Sequence, residues 1–276
     1  MVYRTIIDWD DAYANGPNIA GGERWPQLWV EPARAFRDRL SAAGRARLDL
    51  SYGTAPRNLL DLFLPEGKPK GLVVFIHGGY WVQLDKSYWS HLAAGALARG
   101  HAVAMPSYTL CPENSIGGIV AEIGAAIEHA AAMIDGPIAL TGHSAGGHLA
   151  ARMVCIDSPL PAATLARIVS AVPISGLHDL RPLMKLALNA QLRLDEAEAH
   201  AHSPALLRPV EGTRICCWVG GGERAEFLRQ NVLLANMWTG LGAATSAVEE
   251  PDRHHFTVID GLADPDHPLT RTLLTG

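Results

Sequence analysis

Gly136-Pro-Ile-Ala-Leu-Thr-Gly-His-Ser144-Ala-Gly-Gly-His-Leu149 decides how the rest of the chain is read. An apolar run ending at Leu140 meets Gly142-x-Ser144-x-Gly146 and gives way to small, helix-prone residues from Leu149 to Val154. Strand, sharp turn and helix in that order leave a serine at the turn in a strained backbone position with its hydroxyl exposed. Glycines two residues before and two after are needed, because a Cβ on either would clash where strand and helix approach. By composition the spacing arises by chance in roughly one chain in ten of this length, so the flanking strand and helix carry the reading. They predict Ser144 as a nucleophile.

At 276 residues, 48% apolar and 18% charged, the chain can fill a sizeable core. A net charge of -5 and the lack of a Lys/Arg cluster speak against nucleic acid. Cys111, Cys155, Cys216 and Cys217 lack the spacing of a disulfide framework or a zinc site. Cys216 and Cys217 are neighbours in a strand-like run, so they point to opposite faces and serve packing. The first ten residues show no basic segment followed by an apolar stretch, and no apolar run approaches the roughly 18 residues of a membrane span. A soluble, cytoplasmic protein is expected, without cofactor, metal, nucleic acid or membrane. Its partners are a small molecule and, at most, a second copy of the chain in a homodimer.

Outward from Ser144, strand and helix signals alternate. Residues 1–30 are polar and aromatic with no clear period, and a helix is predicted over 31–43, with Pro32 near its start. Arg47–Ser51 and Leu59–Leu64 read as a hairpin; Gly71–Ile76 is continuously apolar, as a strand buried on both faces would be. Strands are predicted at 101–105, 137–140, 167–174, 213–219 and 244–249. Helices are predicted at 86–99, 116–133, 145–156, 225–238 and 268–274, with a less regular insertion over 177–207. Repeated βαβ units imply a mostly parallel sheet of about eight strands with helices on both faces and ligands at the strands' carboxyl ends. With the serine turn, this is the α/β-hydrolase fold, in one domain over 1–276. Residues 1–45 and about 177–210 are cap candidates.

Serine at its free pKa is a poor nucleophile and needs a base, itself oriented by an acid. In this fold the chain order is Ser, acid, His. Glu223 is the first carboxylate after the strand ending near Val219 and follows three glycines; Glu226, Asp252 and Asp179 are rivals, with Asp179 the runner-up. His254 and His255 both follow the last strand, and His255, backed by Phe256, is the chosen base. His143 and His148 flank the nucleophile and are expected to bond backbone, and His200-x-His202 lacks the rest of a metal site. Donors for a developing oxyanion are expected from the N–H of Ala145 at the helix start and from Gly78 and Gly79. Tyr80 and Trp81 beside them are candidates to line an aromatic substrate pocket.

His77-Gly-Gly-Tyr-Trp81 together with Gly142-His-Ser-Ala-Gly-Gly-His-Leu149 resembles the kynurenine formamidases (arylformamidases), relatives of the hormone-sensitive-lipase-like esterases. The resemblance runs from about Asp61 to Phe256, takes in Pro106-Ser-Tyr108-Thr-Leu-Cys-Pro112-Glu113, and touches Asp11-Ala-Tyr-Ala-Asn15. It implies nucleophile Ser144, base His255, an acid at position 223 and an oxyanion hole from Gly78, Gly79 and Ala145. The family usually has Asp at the acid position, so Glu223 requires its loop to retreat slightly, in keeping with Gly221-Gly222. The implied activity is hydrolysis of a small N-formyl or N-acyl aromatic amide, such as N-formylkynurenine, through an acyl-serine intermediate. A short-acyl carboxylesterase would share every one of these residues. A catalytically silent binding protein would be expected to have lost one of them.

Overall fold

The computed structural model describes residues 5–275; the first four residues of the segment read for a leader lie outside it. α1 (Trp9–Tyr13) and α2 (Trp25–Ala42) come first, then the hairpin β1 (Ala46–Ser51) and β2 (Leu59–Phe63). β3 (Leu72–Ile76), α3 (Ala94–Ala98), β4 (Ala102–Pro106), α4 (Ile116–Met133), β5 (Ile138–His143) and α5 (Ala145–Arg152) follow. After α6 (Ala162–Leu165) and β6 (Ile168–Ile174) come the short helices α7 (Asn189–Leu192) and α8 (Glu196–Ala201). β7 (Arg214–Gly220), α9 (Ala225–Thr239), β8 (Ala244–Glu250) and α10 (Pro268–Leu274) complete the order.

The eight strands form one sheet in the order β1-β2-β4-β3-β5-β6-β7-β8, with β2 antiparallel to both its neighbours and the rest parallel. Because side chains alternate along a strand, two apolar layers result. Val74, Ile76, Ile138 and Leu140 face α4, α5 and α9, while Val73, Phe75, Ala139 and Val172 face α2 and α10. Cys217 belongs to the first layer and Cys216 to the second, the division their adjacency requires. β3 is flanked by β4 on one side and β5 on the other, so the chain reverses direction across the sheet there. The loops after β3 and β5 therefore open a crevice at the strands' carboxyl ends.

Three differences from the sequence reading have local causes. α2 begins at Trp25, not at residue 31; Pro26 occupies its first turn, and Pro32 lies inside it. The single helix expected over 86–99 is broken into 3-10 turns at Lys86–Tyr88 and Ser90–Ala93 before α3, with Trp89 out of helical geometry between them. Contrary to the expectation from apolar runs, α4 is long and apolar enough, by length and composition, to cross a bilayer. It is nonetheless half-buried: Ile116, Ile119, Ile123 and Ile127 belong to the core, and Glu122 bonds the backbone N–H and hydroxyl of Thr109.

Candidate active site

Ser144 stands between β5 and α5 at φ 57°, ψ -117°, a conformation that costs a residue with a Cβ about 1–3 kcal/mol. The glycines on either side make it possible. A Cβ on Gly142 would lie 2.3 Å from the Gly146 carbonyl oxygen, and one on Gly146 would lie 1.9 Å from that of Ile76. Ser144 N–H donates to Ile174 O on β6 at 2.8 Å, which pins the turn to the sheet. Ala145 opens α5, so its N–H has no acceptor within the helix.

Ile76 pairs with Gly142, so the chain leaving β3 runs alongside the serine turn. A Cβ on Gly78 would come within 3.2 Å of Ser144 Cβ; Gly79 sits at φ 113° with Gln83 O 2.3 Å from where its Cβ would be. His77 Nδ1–H donates to Gly78 O at 2.7 Å, and burial holds the His77 ring near pKa 4, hence neutral. In a trans peptide C=O and N–H point oppositely, so this bond turns the Gly79 N–H away from His77. The two aromatic residues that follow part company. Tyr80 lines a cavity with Ser144, and its hydroxyl donates to Tyr13 O at 2.5 Å. Trp81, expected in the substrate pocket with Tyr80, is instead fully buried, edge-on to His148 under α5 with ring centroids 5.1 Å apart. Left-handed φ at both positions, 52° and 60°, turns the chain so that neighbours diverge.

Glu223 and His255 meet below the mouth of this crevice. His255 Nδ1–H donates to Glu223 Oε2 at 2.6 Å, and the Glu223 carboxylate is wholly buried. Its other oxygen, Oε1, accepts from the Ser175 hydroxyl at 2.5 Å and from Gly220 N–H at 2.9 Å. The turn carrying Glu223 is stitched to the loop carrying His255: Gly221 N–H donates to Glu250 O and Gly222 N–H to Arg253 O. A Cβ on Gly220 would lie 2.5 Å from Arg253 O, so the longer acid comes with a turn pressed close against its neighbour loop. His143 Nε2–H donates to His255 O at 2.8 Å, fixing the backbone under that ring. Phe227 covers His255 edge-on at 4.7 Å.

The rival acids are engaged elsewhere. Asp179 grips Arg181 with both oxygens at 2.9 Å, and Glu226 accepts from Tyr13 and pairs with Arg229. Asp252 is exposed. His254 packs on Trp25 at 5.4 Å rather than on a carboxylate. His148 Nε2–H donates to His202 O, a backbone bond of the kind expected of it.

Ser144 and His255 open on a cavity of about 360 Å³, walled by Tyr13, Trp29, Tyr80, Trp89 and Phe256. Half of that wall comes from residues 13–29, the stretch without a sequence period; no residue of 177–210 lines it. Long-range bonds hold this strap in place. Tyr13 OH donates to Glu226 Oε2 at 2.8 Å, Arg224 pairs with Asp11, and Ala187 N–H donates to Asp10 Oδ1 at 2.8 Å. The insertion thus braces the strap from behind. Ser175 is the contributor that sequence reading did not assign; His143 makes the kind of backbone bond expected of it, and the strap falls within the cap candidate 1–45.

Buried imidazoles around this framework make stability depend on pH. Burial lowers His77 to about 4 and His178 to about 3, and puts His143 and His148 well below their usual range, His255 adding to the effect on His143. In the unfolded chain such rings titrate near 6.5. The unfolded state therefore binds more protons, and stability that is complete above about pH 6.5 is lost as pH falls towards the folded values. The urea midpoint is expected to drop between pH 7.5 and 5. An unchanged midpoint would mean that the folded protein accepts these protons.

Fold and site together define a hydrolase of the α/β class. The BD-FAE family pattern matches residues 60–159. Kynurenine formamidase of Danio rerio is 27% identical over 89% of this chain and 86% of its own, and that of Drosophila melanogaster 25% over 93% and 89%. A Silicibacter sp. TM1040 crystal structure, provisionally described as a thioesterase, is 49% identical with a TM-score of 0.92, covering 96% of this chain and 98% of that one. Esterase B of Lactobacillus rhamnosis shares the fold at 17% identity and a TM-score of 0.65, over 89% of this chain and 91% of its own. The chain is a hydrolase with the α/β-hydrolase fold, is similar to kynurenine formamidases over most of its length, and acts on an amide or ester bond.

Proposed function

We propose that Ser144, His255 and Glu223 act as a catalytic triad that transfers a small acyl group, formyl foremost, from an aromatic amine to water. N-formylkynurenine is the named candidate. The observation that carries this reading is the buried Glu223–His255 bond behind an aromatic-walled cavity that Ser144 also lines. With Nδ1–H given to Glu223, neutral His255 has its free lone pair on Nε2. That atom takes the Ser144 proton as Oγ attacks the carbonyl carbon, and the N–H groups of Gly78, Gly79 and Ala145 receive the developing oxyanion. Protonated His255 then returns the proton to the departing amine, leaving acyl-Ser144. A water, deprotonated by His255, attacks this ester and releases formate and free Ser144.

About 360 Å³ is at the small end for a ligand pocket. It suits one aryl ring and a one- or two-carbon acyl group. A cytoplasmic setting goes with four unpaired, buried cysteines. A second reading, a thioester or ester in place of the amide, draws on the description of the 49% identical relative. All three substrates use the same steps and differ in the leaving atom.

The test is kcat/KM for N-formylkynurenine, p-nitrophenyl acetate and S-phenyl thioacetate. The proposal expects the formamide to lead once the esters' greater intrinsic reactivity is divided out. Thioester or ester turnover with no formamide hydrolysis would overturn the amide reading and leave the triad standing.

A further inference from the structure

Consecutive residues at the end of β6 tie the serine turn to the acid. Ile174 O accepts from Ser144 N–H at 2.8 Å, Ser175 N–H donates to Trp218 O on β7 at 2.7 Å, and the Ser175 hydroxyl donates to Glu223 Oε1 at 2.5 Å. α5 presses close on that strand end: a Cβ on Gly147 would lie 2.8 Å from Ile174 O and 3.0 Å from Gly176 Cα. Ser175 is wholly buried and stands at φ 51°, in the left-handed region where a Cβ is strained and glycine is not. A serine kept in such a conformation calls for a use of its side chain. Among the described residues, the one hydrogen bond of that side chain is to Glu223.

Glu223 itself sets the need. A glutamate has one more side-chain torsion than an aspartate, and every torsion that is fixed costs entropy. Three donors reach its carboxylate: the Ser175 hydroxyl and Gly220 N–H at Oε1, and His255 Nδ1–H at Oε2. Gly220 N–H is a local donor, three residues back on the same segment. The Ser175 hydroxyl comes from another strand, 48 residues away, and that strand end also holds Ser144 through the Ile174 carbonyl. It is therefore the bond that places the carboxylate relative to the nucleophile rather than relative to its own turn. Ser175 is not among the residues that line the cavity, so its influence reaches the reaction through Glu223 and not through contact with substrate.

We propose that Ser175 is a positioning residue: its hydroxyl fixes the Glu223 carboxylate relative to the serine turn, and through that carboxylate aims the His255 ring at Ser144. This rests on Ser144, His255 and Glu223 acting as the triad. Removing the hydroxyl leaves the cavity walls in place and loosens the base, so turnover falls while substrate binding is kept.

The experiment measures kcat and KM for N-formylkynurenine and p-nitrophenyl acetate in wild type, Ser175→Ala, Ser175→Gly, Glu223→Gln and the Ser175→Ala/Glu223→Gln double variant. Proton NMR of the same proteins follows the His255 Nδ1–H. Ser175→Ala keeps the Cβ and Ser175→Gly relieves the backbone strain, so the loss they share is the hydroxyl. A hydrogen bond to a charged group corresponds to roughly a tenfold change or more. Both variants are expected to lose about tenfold in kcat on both substrates with KM unchanged. The double variant is expected to be no slower than Glu223→Gln, because Ser175 acts only through that carboxylate. The Nδ1–H resonance, downfield in wild type, is expected to shift or broaden in both Ser175 variants. Wild-type kcat in either variant, losses that add in the double variant, or an unchanged resonance would each overturn the proposal and leave the triad standing. A near-normal Glu223→Gln would instead remove the acid, and Ser175 with it. If wild type turns over neither substrate, the acyl-transfer reading is what fails, and the resonance alone decides whether Ser175 holds the pair.

Discussion

Ser144→Ala is expected to reduce kcat for any acyl substrate by on the order of 10⁴-fold or more, with little change in KM or thermal midpoint. The size of the effect follows from what surrounds the hydroxyl. Nearby hydroxyls are committed elsewhere: Ser175 donates to Glu223, and Thr141 to Val172 O at 2.7 Å. Neither can supply a replacement nucleophile without breaking a buried bond. The N–H groups of Gly78, Gly79 and Ala145 and the aromatic cavity survive the substitution, so a residual rate above that in water remains. The fold survives as well. Alanine meets the same backbone strain as serine at φ 57°, and the Ser144 side chain makes no hydrogen bond that caps α5. His255→Ala is expected to match the loss, because nucleophile and base act as a unit, and the double variant should be no worse than either alone. Retention of more than a tenth of wild-type kcat in Ser144→Ala would place the nucleophile elsewhere.

What could be seen of this site beforehand depended on how local its determinants are. The serine turn is a local, fourteen-residue signal from Gly136 to Leu149, strand then Gly-x-Ser-x-Gly then helix, and each part constrains the next by steric contact. β3 and β5 were legible for a similar reason: continuous apolar runs mark strands buried on both faces. Glu223 could be found from chain order and its glycines. Ser175, which holds the second oxygen of Glu223, could not, since nothing links the two but a distance across 48 residues. The strap is the extreme case. Tyr13 meets Glu226 across 213 residues, and a segment shaped by such contacts has no periodicity of its own. Hence the sequence marks residues 1–45 as a cap candidate without assigning any strap residue to the cavity wall. Trp81 differs for another reason, although its neighbour Tyr80 lines the cavity as expected. Composition marks both as aromatic, but two consecutive left-handed residues decide which ring faces the cavity, and neither is a glycine that would announce the turn.

Glu223→Gln is expected to lower kcat by about 10³- to 10⁴-fold while leaving the protein folded, and the reason lies in which way the new amide must face. At the Oε1 position two donors converge, Ser175 O–H and Gly220 N–H, and only an oxygen can satisfy them both. The glutamine carbonyl is therefore held there, and its NH₂ falls where Oε2 met His255 at 2.6 Å. To accept from that NH₂, Nδ1 must give up its proton, so neutral His255 carries hydrogen on Nε2 and cannot take one from Ser144. The imidazolium formed during attack also loses its buried counter-charge. Both effects act on the transition state, so KM is expected to change far less than kcat. Asp179→Asn supplies the contrast: its carboxylate is spent on Arg181, and kcat is expected to stay within a few-fold of wild type. Measured side by side, a near-normal Glu223→Gln with an inactive Asp179→Asn would move the acid to the end of β6. The opposite result would leave the 2.6 Å bond as the one that orients the base.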